Sequence, residues 1–218
     1  MLKLCIFDMD GTLVDTLKSI RYFANKALNK YSLDSVDEDK YKIFVGNGAK
    51  NLIKRLVNYT GGTEEQFEKV LKEYNTTYDN DFLYLAEPYE DIIKMLEILR
   101  AQNIKIAILS NKPHSTAKKI SDALFSEKFV DICYGSRENV KLKPDPEGVF
   151  ELLSYFNVTA DECLYIGDTA TDIETAKNAG VKSIGVLWGF RDFEELSGAG
   201  ANYIVKNPLE ICKIANTF

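Results

Sequence analysis

Six short runs of aliphatic and β-branched residues punctuate the chain, at Leu2 to Phe7, Ile104 to Leu109, Asp131 to Tyr134, Cys163 to Ile166, Ser183 to Leu187 and Tyr203 to Val205. Segments with helical spacing lie between them: Ile92, Met95, Leu96 and Leu99 share one face, and Val149, Leu152, Leu153 and Phe156 another. Asp145 is placed to cap the second of these helices, with Pro146 in its first turn, and Gly180 to end a third that runs from about Thr171 to Ala179. Strand alternating with helix predicts an α/β fold, a Rossmann-like parallel sheet with helices on both faces. The rhythm breaks once. From Asp8 to Ile104 there are far too many residues for a single crossover helix, and the excess, about Thr16 to Leu85, holds no convincing strand. An inserted helical cap domain over 16–85 is expected, interrupting an α/β core domain made of 1–15 and 86–218. Its helices would be Leu17 to Leu28, a pair around Tyr41 to Tyr59, and Glu64 to Tyr78, with a break at Gly61 and Gly62. Leu13 to Thr16 and Ala86 to Pro88 would be its two linker strands.

Composition limits the chemistry. With 218 residues, 45% of them hydrophobic, the chain can bury one sizeable core or a core with a small satellite domain. Lysine and arginine total 27 against 33 aspartates and glutamates, a net charge of −6, so neither nucleic acid nor an anionic membrane is an expected partner. An anionic substrate would need a local positive field, from a metal ion or a few placed lysines. No apolar run approaches the roughly 18 residues of a membrane span, and Met1 to Phe7 runs straight into an acidic motif, so a cytoplasmic location is expected. The four cysteines lack paired metal-ligand spacing, and Cys5, Cys133 and Cys163 read as buried thiols in strands. With His114 the only histidine, a multi-histidine zinc site is excluded, and a Ser/His/Asp triad would have one residue available as its base. The common nucleotide-binding glycine signatures are absent.

What the chain has instead is four polar clusters at strand ends. Asp8-Met9-Asp10-Gly11-Thr12 follows the first strand, Ser110-Asn111-Lys112 ends the second, Lys143-Pro144-Asp145 precedes a helix, and Gly167-Asp168-Thr169-Ala170-Thr171-Asp172 ends the fourth. One Asp-x-Asp by itself fits a solvated acidic turn. All four at the edge where open α/β sheets bind ligands fit phosphoryl transfer through an aspartyl phosphate. Asp8 would be the nucleophile, and Asp10 would protonate the leaving oxygen and then deprotonate water. Oxygens of Asp8 and Asp168 and the backbone carbonyl of Asp10 would hold Mg2+, with Asp172 ligating through water or orienting the others. Ser110 and the amides opening the next helix would bind phosphate oxygens, and Lys143 would offset the charge shared by Asp8 and the phosphoryl group. Thr12 and Asn111 are further candidates for substrate contact.

These motifs, in this order, resemble those of haloacid dehalogenase superfamily phosphatases, and the insertion falls where that family carries a helical cap. The resemblance spans essentially the whole chain. Asp10 separates it from the dehalogenases, which lack this second acid. Val45-Gly46-Asn47-Gly48-Ala49, Ser110-Asn111-Lys112-Pro113 and Gly189-Phe190-Arg191 resemble phosphoglycolate phosphatases more narrowly. The resemblance implies a magnesium-dependent phosphatase of small phosphorylated metabolites, with 2-phosphoglycolate as a candidate, acting as a monomer or homodimer. A β-phosphoglucomutase-like sugar phosphomutase and an inorganic pyrophosphatase are alternatives. A phosphoacceptor signalling receiver is a rival from another class, disfavoured by its motif order and its lack of a large helical insertion.

The cap signals are weaker. Gly46, Asn47 and Gly48 fit a turn between helices or a loop that reads substrate, and Lys50 is the best placed of the nearby charges to meet a substrate carboxylate. His114 fits a helix start and Lys112 a solvent-facing charge. Arg191 fits either a partner for an acid near the active edge or a cover over the core. Tyr22, Phe23, Tyr41, Phe44, Tyr74 and Tyr78 read as cap packing.

Overall fold

Side chains of the first strand, β1 (Leu4–Phe7), alternate between two apolar layers, Leu4 and Ile6 into one, Cys5 and Phe7 into the other. A strand apolar on both sides belongs in the middle of a covered sheet. The computed structural model, which describes residues Met1–Phe218, places it there. After β1 the chain forms β2 (Val14–Asp15), α1 (Leu17–Lys30), α2 (Glu38–Phe44), α3 (Ala49–Tyr59), α4 (Glu64–Asn80) and β3 (Glu87–Pro88). It continues through α5 (Ile92–Ala101), β4 (Lys105–Pro113), α6 (His114–Leu124), α7 (Ser126–Phe129), β5 (Ile132–Ser136) and α8 (Glu147–Phe156). A single 3-10 turn, Ala160–Glu162, leads to β6 (Cys163–Gly167), α9 (Ala170–Asn178), β7 (Lys182–Val186), α10 (Phe193–Ala199), β8 (Tyr203–Val205) and α11 (Pro208–Ala215).

The six-stranded sheet has the order β5-β4-β1-β6-β7-β8, parallel throughout. The strands that follow β1 in this sheet build outward on one side through β4 and β5, then on the other through β6, β7 and β8. The reversal opens a crevice beyond the carboxyl end of β1, between the loops after β4 and β6. One layer beneath the sheet is packed by α5, α6 and α11 through Met95, Leu96, Ile120 and Ile211, the other by α8 and α9 through Val149, Leu152 and Ala176. All four cysteines are buried as free thiols, Cys212 with the three expected. No helix is long and apolar enough to cross a membrane.

The segment between β2 and β3 is helical, and β2 pairs antiparallel with β3 as a two-stranded ribbon at its base. Within it α4 packs on α1 and α3. Its amino end carries a capping box, Thr63 exchanging hydrogen bonds with Gln66. Phe23, Tyr41, Leu56, Val70, Tyr74 and Tyr78 are buried in an apolar cluster that continues into the sheet layer holding Phe7. Helix α8 begins later than the sequence spacing predicts: Pro146 occupies the N-cap position, and Asp145 Oδ1 accepts from the Glu147 amide at 3.1 Å. Asp145 still caps the helix start, since a capping carboxylate ordinarily accepts from the amide two or three residues on.

Leu164 is fully buried in β6, next to β1. Leu164→Ala should lower the free energy of urea unfolding by about 2–5 kcal/mol, the usual loss for emptying a packed leucine site.

Candidate active site

The crevice gathers its side chains from the ends of β1, β4 and β6 and from one loop. Asp8 leaves β1, Ser110 to Lys112 form the end of β4, Lys143 lies in the loop between β5 and α8, and Asp168 follows β6. The chain turns sharply after Asp8 because Gly11 adopts φ +85, and a Cβ there would lie 2.3 Å from Asp168 Oδ2. Gly189 closes on the same carboxylate from the other side, where a Cβ would fall 2.4 Å from the Gly11 carbonyl. Between them Asp168 is fixed by the Thr12 hydroxyl, which donates to Oδ1 at 3.1 Å, and by the Phe190 amide, which donates to Oδ2 at 2.8 Å.

Lys143 Nζ is 2.9 Å from Asp8 Oδ1 and 2.7 Å from Asp172 Oδ1. Asp8 Oδ1 also accepts from the Met9 amide at 2.7 Å. Asp172 serves twice, because its Oδ2 accepts from the amide and hydroxyl of Thr169 and so caps α9 while Oδ1 holds the lysine. Burial pushes the Asp8 carboxyl up to about 7, against the pull of Lys143. Burial first, then the charges of Asp172 and Asp8, raises Asp168 well above the ordinary range. Burial disfavours the charge on Lys143, but Asp172 and Asp8 outweigh it and keep the ammonium protonated.

Asp8, Asp168 and Asp172 offer carboxylate oxygens within 4.8 Å of one another, all buried. One ammonium faces three carboxylates there, which leaves negative charge that a divalent cation with hard oxygen preferences would balance. The donor set and the tight cradle around Asp168 therefore fit a metal ion. Asp10 stands apart from this group, its Oδ1 2.7 Å from the Thr16 hydroxyl and both oxygens 3.0 Å from Lys112 Nζ.

Several other residues take places the sequence did not suggest. Lys112 is buried, not solvent-facing: Asp10 outweighs the cost of burying it, and its Nζ lies 4.6 Å from the centre of the Tyr78 ring. Thr12 is spent on Asp168 and is fully buried, so it orients an acid and does not face substrate. Asn111 clasps the backbone of Lys143, accepting from its amide at 2.9 Å and donating to its carbonyl at 3.1 Å, and donates to the Gly46 carbonyl at 3.2 Å. Asn47 donates to the Thr171 hydroxyl at 3.4 Å and accepts from Arg55, which ties the turn between α2 and α3 to the core. Lys50 is exposed and lies outside the residues that line the crevice, so its expected contact with a substrate carboxylate has no geometric basis. Arg191 donates to the carbonyls of Lys42, Ile43 and Val45 at the end of α2 as well as pairing with Glu195. His114 opens α6, as expected, and its Nδ1 accepts from the Gly135 amide. Gly46, Gly48, Ser110 and Asn111 do line a cavity of about 480 Å³ that also takes in Asp8, Asp10 and Lys112.

Residues 5–186 match the family model of the haloacid dehalogenase-like hydrolases. A phosphoglycolate phosphatase of Aquifex aeolicus is 30% identical over 213 residues, covering 98% of this chain and 96% of its own length. One from Vibrio parahaemolyticus is 28% identical, with 98% and 96% covered. Among solved structures, a predicted phosphoglycolate phosphatase from Haemophilus somnus superposes with a TM-score of 0.92 at 26% identity, covering 98% of this chain and 97% of that one.

The raised Asp8 has a consequence for stability. Between its unfolded value of 3.8 and its folded value of about 7, the native state holds a proton that the unfolded chain has released. Stability from this group is therefore lost as pH rises towards 7 in the metal-free protein, while a cation bound at these acids would compete with that proton. The rise in Tm produced by excess magnesium chloride should grow from about pH 5.5 to about pH 8, measured by scanning calorimetry.

Proposed function

The chain belongs to the haloacid dehalogenase-like hydrolases, and from that membership we propose a magnesium-dependent phosphatase of small phosphorylated metabolites, with 2-phosphoglycolate as substrate. The observation that carries this reading is the convergence of Asp8, Asp10, Lys143 and Asp168 beyond the end of β1, beside one cavity. Each residue has a chemical task. A carboxylate oxygen of Asp8 attacks phosphorus, the ester bond to the leaving oxygen breaks, and that oxygen takes a proton from the Asp10 carboxyl. Asp10 then removes a proton from water, whose oxygen attacks phosphorus and releases Asp8 and inorganic phosphate. Lys143 favours the ionised form of Asp8 against the cost of its burial and turns it into place, and Ser110, which lines the cavity, is positioned for a phosphoryl oxygen.

Asp8, Asp168 and the Asp10 carbonyl would hold Mg2+, with Asp172 orienting them through Lys143 and α9. The bound ion supplies positive charge against the phosphoryl oxygens and lets two anions approach each other. The helical segment 16–85 acts as a cap. Gly46 and Gly48 bring backbone over the cavity, and a Cβ at Gly48 would come within 3.1 Å of the Asn111 carbonyl. The cap excludes water and confines the leaving group to a small space.

Phosphate release from a panel of phosphomonoesters, sugar phosphates and pyrophosphate, with magnesium and Asp8→Asn as the blank, tests this. Turnover should be greatest on 2-phosphoglycolate and absent in Asp8→Asn or with excess chelator; activity surviving either treatment would sink the mechanism. Asp10→Asn should slow turnover about 10²- to 10⁴-fold while keeping metal affinity within a few-fold, because its side chain lies outside the metal-binding acids. Titration calorimetry showing a loss as large as that of Asp168→Asn would reverse those assignments.

A further inference from the structure

The cavity between the sheet edge and the cap presents an unbalanced set of charges. Asp8, Asp10 and Asp79 all line it, and Lys112 is the single cationic side chain that does. Lys143 is behind Asp8, held between it and Asp172, and is not part of the wall. A substrate that is anionic at its phosphoryl end and again in its leaving group needs a second positive pole, and only one side chain supplies it.

Lys112 is held firmly for such a task. Its side chain is 6% exposed, its Nζ is 3.0 Å from both oxygens of Asp10, and it stands over the Tyr78 ring contributed by the cap. Tyr78 also lines the cavity, and its buried hydroxyl has no hydrogen-bond partner. The ammonium and the proton-transferring acid are thus neighbours. A leaving group whose carboxylate is attached to the ester-bearing carbon presents the same pairing: an oxygen that takes a proton and, one carbon away, an anion.

We propose that Lys112 determines specificity for the leaving group by binding a carboxylate adjacent to the ester-bearing carbon, while its neighbour Asp10 serves the ester oxygen. This rests on the phosphatase reading above. It assigns to the end of β4 the anion-reading role that the sequence suggests for Lys50.

The test compares kcat/KM of the magnesium-loaded wild type, Lys112→Met and Lys112→Arg on 2-phosphoglycolate, ethyl phosphate and 4-nitrophenyl phosphate, after thermal unfolding has shown each variant folded. Lys112→Met should lose about ten- to a hundredfold more on 2-phosphoglycolate than on ethyl phosphate, and Lys112→Arg should recover part of that difference. Equal losses on the two alkyl phosphates, with little loss on the nitrophenyl ester whose leaving group needs no proton, would reduce Lys112 to a positioning residue for Asp10 and overturn the proposal. A wild type with no preference for 2-phosphoglycolate over ethyl phosphate would overturn it as well. Binding keeps these failures apart from failure of the phosphatase reading. Calorimetry on magnesium-loaded Asp8→Asn, with and without Lys112→Met, should show tighter binding of 2-phosphoglycolate than of ethyl phosphate that disappears in the double variant. Its persistence there would overturn the role of Lys112 whether or not the wild type turns over.

Discussion

Lys143 stands within 2.9 Å of Asp8 and 2.7 Å of Asp172, its side chain 3% exposed, and the rest of the sheet edge is arranged around that buried ammonium. Three carboxylates this close would repel strongly in a space with little water, and removing the one cation would leave buried charges unpaired. The surrounding structure holds it from two sides. Asn111 clasps its backbone from β4, Asp172 holds its Nζ from the first turn of α9, and the residue before Asp168, Gly167, lets that turn approach so closely that a Cβ would meet Asp172 at 2.2 Å. Sheet register, helix capping and site charge are thus one constraint, because a shift of β6 against β1 would separate Asp168 from Asp8.

The cap is tied to that edge by polar contacts as well as by a continuous apolar cluster. Gly46 accepts from Asn111, Asn47 reaches Thr171, Arg191 serves the carbonyls ending α2, and Asp79 meets Thr116 and Lys119 at the far side of the cavity. Most of these contacts are exposed or half-buried pairs, each worth little in water. Those polar pairs could exchange for water at little cost, but the apolar cluster shared with the sheet would resist separation of the two parts.

How much of this could be read in the sequence depends on how locally each feature is determined. The parallel α/β sheet was legible because Leu4 to Phe7 and Cys163 to Ile166 are apolar on both faces, a pattern with few other solutions. That Asp8 and Asp168 lie side by side was legible because strand ends fix where a side chain emerges, whereas Lys143 reaches Asp8 from the loop after β5. Lys112 was not, since a lysine beyond an apolar strand ordinarily meets water, and its burial depends on Thr16-bound Asp10 and on Tyr78 arriving from distant parts of the chain. Thr12 and Asn47 were misplaced for the opposite reason: their neighbourhood was right, but their partners, Asp168 and Thr171, lie 156 and 124 residues away. Lys50 looked apt by spacing, yet the first turn of α3 presents it to solvent.

Core and cap therefore divide the chemistry along a physical line. In the proposed reading the groups that handle phosphorus lie at strand ends and glycine-lined turns, where displacing one side chain would break a buried charge balance. In that reading the groups that face the leaving group are carried by α1, α3 and α4 and by the last residues of β4; a change in the helices would alter the cavity without touching Asp8, Asp168 or Lys143, whereas Asn111 of β4 also clasps Lys143. Lys112 is the point where the two meet, a core residue whose surroundings are completed by the cap. A chain built this way can alter the substrate it accepts by exchanging a few cavity-lining residues, while the reaction at phosphorus stays fixed by the sheet.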